Sequence, residues 1–161
     1  MVQKIAFIGL GVMGYPMAGH CRKAGYDVTV FNRTTQKAQF WVDEFSGEMA
    51  LTPQLAAMQA NVILLCVGND ADLRSVMLGE NGILAGVDPG DIIVDHTTAS
   101  AEVAREMAIL CADVGVGFLD APVSGGQAGA ENGQLSIMIG GDKKAFDQVK
   151  SILTYYGKTI E

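Results

Sequence analysis

Short apolar runs alternate with amphipathic stretches along most of the chain. Ile5 to Ile8, Tyr26 to Phe31, Val62 to Val67, Asp91 to Val94, Gly115 to Leu119 and Leu135 to Ile139 read as strands, with Met49 to Leu51 a shorter one. Between them, Tyr15 to Ala24, Lys37 to Phe45, Pro53 to Met58, Ala71 to Met77, Glu102 to Ala112 and Asp142 to about Tyr155 read as helices. Val62-Ile63-Leu64-Leu65-Cys66-Val67 is apolar without interruption, which a parallel strand covered on both faces requires. Strand and helix in alternation predict an α/β fold with a mostly parallel sheet and helices on both faces.

Punctuation supports these boundaries. Pro16 fits the first turn of a helix, where its missing amide costs nothing, and Gly25 ends that helix. Thr52 before Pro53 is an expected N-cap, as is Asp70 before Ala71, and Thr97, Thr98 and Ser100 are candidates to cap the helix from Glu102. Phe40, Trp41 and Phe45 are expected to pack against the sheet. Gly140-Gly141 is expected to be a turn and Gly157 to close the last helix. Lys158 to Glu161 then look like the start of a further element.

The first strand runs straight into Gly9-Leu10-Gly11-Val12-Met13-Gly14, a G-x-G-x-x-G pattern. In this position the glycines permit a tight turn, close approach of a pyrophosphate and packing of the next helix on the sheet. The N-terminal amides and dipole of that helix favour the anion. This predicts a dinucleotide-binding fold of the Rossmann type.

The residues after the second strand select the cofactor. An NAD site places Asp or Glu there to accept from the ribose 2'-hydroxyl, whereas this chain has Asn32, Arg33 and Thr34, with Lys37 one turn beyond. Arg33 can pair with a 2'-phosphate and stack on adenine, so NADPH is expected over NADH.

Composition narrows the partners. The 161 residues, 49% apolar and 18% charged with 4 prolines, suit one folded domain. A net charge of −7 offers no basic face for nucleic acid or anionic membrane. The start Met-Val-Gln-Lys leads directly into the first strand, with no signal segment or membrane-length apolar run, so a cytoplasmic location is expected. Cys21, Cys66 and Cys111 are scattered and read as reduced core thiols. His20 and His96, the two histidines, lack the spacing of a metal site. His96 is also placed as a candidate general acid at the sheet's ligand edge, but without an identifiable carboxylate relay.

Two further segments lie where strands end. Asp95-His96-Thr97-Thr98 follows one strand, and Asp120-Ala121-Pro122-Val123-Ser124-Gly125-Gly126 follows the next. Ser124 with two glycines presents a hydroxyl and uncrowded amides, suited to a carboxylate. The same residues also read as a flexible loop before the small-residue segment Gln127 to Glu131.

Residues 7 to 18, Phe-Ile-Gly-Leu-Gly-Val-Met-Gly-Tyr-Pro-Met-Ala, together with D-H-T-T at 95 to 98 and D-A-P-V-S-G-G at 120 to 126, resemble the β-hydroxyacid dehydrogenase family. That family includes 3-hydroxyisobutyrate dehydrogenase and tartronate semialdehyde reductase. The resemblance implies that Gly9, Leu10, Gly11, Val12, Met13 and Gly14 hold the pyrophosphate. Asn32, Arg33 and Thr34 would read the adenosine ribose and its phosphate, with Val67 near the ribose and Thr98 near the nicotinamide. Ser124, Gly125 and Gly126 would hold a small carboxylate substrate. The family's D-x-S-T element reads D-H-T-T here, with a hydroxyl kept at Thr97.

The family's catalytic lysine lies beyond this domain, on the helix leading into an all-helical second domain. The resemblance therefore implies that residues 1–161 are the NADP-binding domain of an oxidoreductase acting on a short 3-hydroxy acid or its semialdehyde. The fragment would bind cofactor without turnover, and the intact enzyme would be a homo-oligomer. The competing readings are a non-catalytic dinucleotide-binding module and an imine reductase-like enzyme, which shares the cofactor turn but replaces the lysine.

Overall fold

The structure, a computed structural model, describes residues 3–161. Its first half alternates β1 (Lys4–Ile8), α1 (Gly14–Lys23), β2 (Asp27–Phe31), α2 (Thr35–Phe45), β3 (Glu48–Met49), α3 (Pro53–Met58), β4 (Val62–Leu65) and α4 (Asp70–Met77). The second half continues with β5 (Ile92–Asp95), α5 (Ala101–Asp113), β6 (Gly117–Asp120), β7 (Val123–Ser124), α6 (Gly126–Glu131), β8 (Leu135–Ile137), β9 (Gly140–Gly141), α7 (Lys143–Leu153) and β10 (Gly157–Ile160).

Seven strands form one sheet in the order β3-β2-β1-β4-β5-β6-β9. The pairs from β3 through β6 are parallel, and β9 runs antiparallel to β6. This is the doubly wound architecture of a Rossmann-type fold, as expected from the alternation of elements.

Side-chain alternation along the strands divides the core into two faces. Ile5, Phe7, Val62, Leu64, Ile92 and Val94 meet Met17, Cys21 and Trp41 on one side, with Val149 and Leu153 of α7. Ala6, Ile8, Ile63, Leu65 and Ile93 meet Ala57, Leu73, Met77, Val103 and Met107 on the other. Covering on both faces explains why the strands are almost continuously apolar.

The structure corrects several local expectations. Asn69, not Asp70, caps α4: its side chain accepts from the Asp72 amide at 2.8 Å. Asp70 is already helical and pairs with Ser100, accepting from its amide at 2.9 Å and its hydroxyl at 2.6 Å. Trp41 is buried and Phe45 half-buried, but Phe40 is 56% exposed. Neighbouring residues on a helix are about 100° apart, so one narrow face cannot hold both Phe40 and Trp41.

Gly140-Gly141 is a short strand rather than a plain turn, pairing with Asp120 and Leu119. Gly157 opens a strand rather than ending a helix. The last residues pair in parallel with β8, completing a three-stranded sheet in the order β10-β8-β7. Among the described residues no helix is long and apolar enough to cross a membrane.

Candidate functional site

A doubly wound sheet opens a crevice at the carboxyl ends of the strands where strand order reverses. Here β1 lies between β2 and β4, so the crevice falls between the loops after β1 and β4. A cleft of about 530 Å³ occupies this position, lined by Gly9 to Gly14, Asn32, Arg33 and Val67 of the expected residues.

The turn after β1 is held from both sides. The Gly9 amide donates to the Phe31 carbonyl at 2.9 Å, and the Leu10 amide donates to Asn32 Oδ1 at 2.9 Å. Asn32 also donates through Nδ2 to the Thr34 carbonyl at 3.1 Å, so it braces the turn against the loop after β2. Leu10 is fully buried. Its amide is engaged and its side chain packed, so within the turn it acts as an anchor.

The three glycines have different reasons to be there. Gly9 has φ +99°, and a Cβ on it would fall 2.3 Å from the Cys66 carbonyl oxygen. A Cβ on Gly14 would fall 2.0 Å from the Gly9 carbonyl oxygen. A Cβ on Gly11 would meet no atom within 4 Å, so protein packing does not explain this glycine.

Among the described residues the amides of Gly11, Val12 and Met13 donate to no protein acceptor, and the Met13 N-cap has no side-chain cap. Three donors at the start of a ten-residue helix, beside open space at Gly11, form a cradle with the shape and polarity for an anionic group. The residues fit a dinucleotide pyrophosphate.

The opposite wall is built from β4 and β5. The Val67 amide donates to Thr97 Oγ1 at 3.1 Å, and the Thr97 amide donates to Asp95 Oδ1 at 2.9 Å. Asp95 is fully buried, with Oδ2 unpartnered. Burial pushes its carboxyl up to about 6; the Thr97 hydroxyl and amide pull it down, and Asp120 pushes it up further.

His96 is also fully enclosed. Its Nδ1–H donates to the Ala121 carbonyl at 2.7 Å, and Nε2 accepts from the Tyr156 hydroxyl at 2.7 Å. Burial drives its pKa down to about 4, outweighing the Ala121 carbonyl. Both ring nitrogens are engaged inside the protein, so His96 is a structural crosslink and not a general acid.

Several expected residues lie outside the cleft. Thr34 is the N-cap of α2, exposed and without a side-chain cap bond. Thr98, Ser124, Gly125 and Gly126 are exposed. Asp95 and Asp120 are register partners on β5 and β6, so the loops bearing Thr98 and Ser124 leave adjacent strand ends. Gly125 at φ +129° and Gly126 at φ +64° hold the chain where other residues are strained. The segment expected as either a carboxylate loop or a flexible connection is thus a short strand pairing with β8, then a glycine turn into α6.

The sequence reading missed Asp72, Ser75 and Val76, which line the cleft from α4. Their signal was positional: a helix starting just after β4 must place its first turns at the crevice. Asp72 Oδ1 lies 3.7 Å from Arg33 Nη1 across the mouth. Among the described residues no group of three His, Cys, Asp or Glu is placed to hold a metal ion. Cys21 and Cys111 are buried free thiols, and Cys66 is a half-buried one at the cleft.

Comparison with known proteins agrees with this fold. Residues 4–161 match the family described as the NAD binding domain of 6-phosphogluconate dehydrogenase. An uncharacterized oxidoreductase of Shewanella frigidimarina is 58% identical over 158 residues, 98% of this chain and 54% of that protein. A probable mitochondrial 3-hydroxyisobutyrate dehydrogenase-like protein of Arabidopsis thaliana is 43% identical over 156 residues, 96% of this chain and 46% of the relative. The structure of Mycobacterium tuberculosis 3-hydroxyisobutyrate dehydrogenase with L-serine superposes with a TM-score of 0.92 at 30% identity, covering 100% of this chain and 54% of the other.

The chain thus spans about half the length of these relatives. It belongs to the family described as the NAD binding domain of 6-phosphogluconate dehydrogenase.

Proposed function

We propose that the chain is the NADP(H)-binding domain of a dehydrogenase or reductase that moves hydride between the cofactor and a short 3-hydroxy acid or its semialdehyde. The observation that carries this reading is the cradle of free amides at Gly11, Val12 and Met13, with Arg33 standing exposed on the same cleft. The amides and helix dipole receive the pyrophosphate. Arg33 and the uncapped Thr34 hydroxyl receive the ribose 2'-phosphate, where an NAD-selective site carries an acid.

Bound NADPH supplies the hydride at its nicotinamide. The loop bearing Thr98 orients that ring, and Val67 fixes the cleft wall through Thr97. Ser124, Gly125 and Gly126 would hold the substrate carboxylate on the neighbouring strand end and so orient the substrate toward the cofactor. The proton-transferring lysine and the rest of the substrate pocket come from the second, all-helical domain of the intact protein. That domain also carries its homo-oligomer contacts.

Titration of the purified chain with NADPH and NADH tests this reading. NADPH is expected to bind on the order of tenfold or more tightly, since each charge-assisted bond to the phosphate adds selectivity. Arg33→Ala should weaken NADPH by a similar factor and leave NADH nearly unchanged. Equal affinity in the unsubstituted chain would overturn the NADP assignment. Turnover of tartronate semialdehyde or 3-hydroxyisobutyrate by residues 1–161 at enzyme-like rates would overturn the division of labour between domains.

A further inference from the structure

We infer that Asp72 is a specificity-determining residue that holds the NADP(H) preference in check by competing with the cofactor's 2'-phosphate for Arg33. The inference rests on the cofactor reading above and concerns a residue on the opposite wall of the cleft.

Arg33 and Asp72 line the cleft from opposite sides of the strand-order reversal, one on the loop after β2 and the other in the first turn of α4. Their 3.7 Å approach is the one ion pair bridging that mouth among the described residues. The partners differ in freedom. The Arg33 side chain is 89% exposed, whereas that of Asp72 is 33% exposed. The Asp72 amide is tied to Asn69 Oδ1 at 2.8 Å, and its helix is anchored by buried Leu73 and Met77. Arg33 is therefore the group that moves, and Asp72 is the fixed charge.

A 2'-phosphate carries more than one negative charge at neutral pH. To pair with Arg33 it must draw the guanidinium from Asp72 and then remain within the same mouth as that carboxylate. A ribose 2'-hydroxyl faces neither cost and can donate to a carboxylate. Asp72 therefore opposes NADPH without opposing NADH, and Arg33 favours NADPH. The balance between them sets the ratio.

The test measures NADPH and NADH dissociation constants for the unsubstituted chain, Asp72→Asn, Arg33→Ala and the double variant at fixed ionic strength. Quenching of Trp41, the single tryptophan, and nicotinamide fluorescence provide the readouts. Asn at this position preserves shape and the amide bond to Asn69, and thermal unfolding confirms that the variant is folded. Asp72→Asn is expected to tighten NADPH about three- to tenfold, consistent with removal of one partly screened charge. NADH should be unchanged or weaker. In the Arg33→Ala background the gain should shrink to the part due to direct repulsion between carboxylate and phosphate, because no guanidinium is left to sequester.

An unchanged or lowered NADPH to NADH ratio in Asp72→Asn, with Arg33→Ala still weakening NADPH, would overturn the Asp72 inference alone. Failure of the unsubstituted chain to bind either dinucleotide would overturn the cofactor reading itself, and this inference with it.

Discussion

At the residue scale, the glycine turn separates two requirements that a motif merges. Gly14 is demanded by the protein, since a Cβ would overlap the Gly9 carbonyl, whereas space around Gly11 is open. Gly14→Ala is therefore expected to destabilise the domain by more than about 2 kcal/mol through forced displacement of the turn. Gly11→Ala should leave stability within about 0.5 kcal/mol. The added methyl would instead occupy the approach to the free amides and weaken NADPH on the order of tenfold or more, because this position needs uncrowded backbone. Urea unfolding alongside NADPH titration distinguishes the two. Loss of stability without loss of binding in Gly11→Ala would show that no pyrophosphate passes there. The motif was legible because its demands are local. Asp72 was not, because its partner Arg33 lies far away in sequence and only the fold brings them together.

At the element scale, helix starts carry much of the organisation of the sheet's carboxyl edge. Ser100 caps the longest helix, α5, accepting from the Val103 amide at 3.1 Å. It also donates to Asp70 at 2.6 Å, joining the starts of α4 and α5 beside the cleft. Hydrogen bonding to Ser100 holds the Asp70 carboxyl below its usual range. Ser100→Ala should cost about 1 kcal/mol in cap energy, measured as a lower urea midpoint at unchanged m-value. Ser100→Thr should recover most of it, whereas equal losses in both would point to packing. The cap signal was visible at Ser100, yet its pairing with Asp70 was not, and Asp70 was read as the cap in place of Asn69. The seven-stranded sheet was largely legible because strands covered on both faces must be apolar. The β9 and β10 pairings were hidden, since Gly140-Gly141 has no side-chain pattern and Lys158-Thr159 is polar.

At the scale of the whole molecule, consecutive residues at the end of the interior strand β5 join three parts of the domain. Asp95 and Thr97 brace the Val67 wall, and His96 ties Ala121, just after β6, to Tyr156, just before β10. This edge combines two buried titratable groups with opposite effects on stability. Asp95 is raised from 3.8 to about 6, so the native state binds the extra proton and its contribution, present below 3.8, is lost as pH rises through 6. His96 is lowered from 6.5 to about 4, so its contribution is present above 6.5 and lost as pH falls through 4. Each amounts to about 3 kcal/mol at the scale of 1.4 kcal/mol per pKa unit, and the slopes nearly cancel between pH 4 and 6. Asp95→Asn should unmask His96: relative to the unsubstituted chain, its unfolding free energy should climb by about 3 kcal/mol from pH 4 to 6. His96, Asp91 and Asp120, the last two also raised by burial, and Asp70 remain in both proteins, so the difference between their urea unfolding curves isolates Asp95. Parallel pH profiles would show that Asp95 does not hold its proton in the native state, and that the buried edge is balanced some other way.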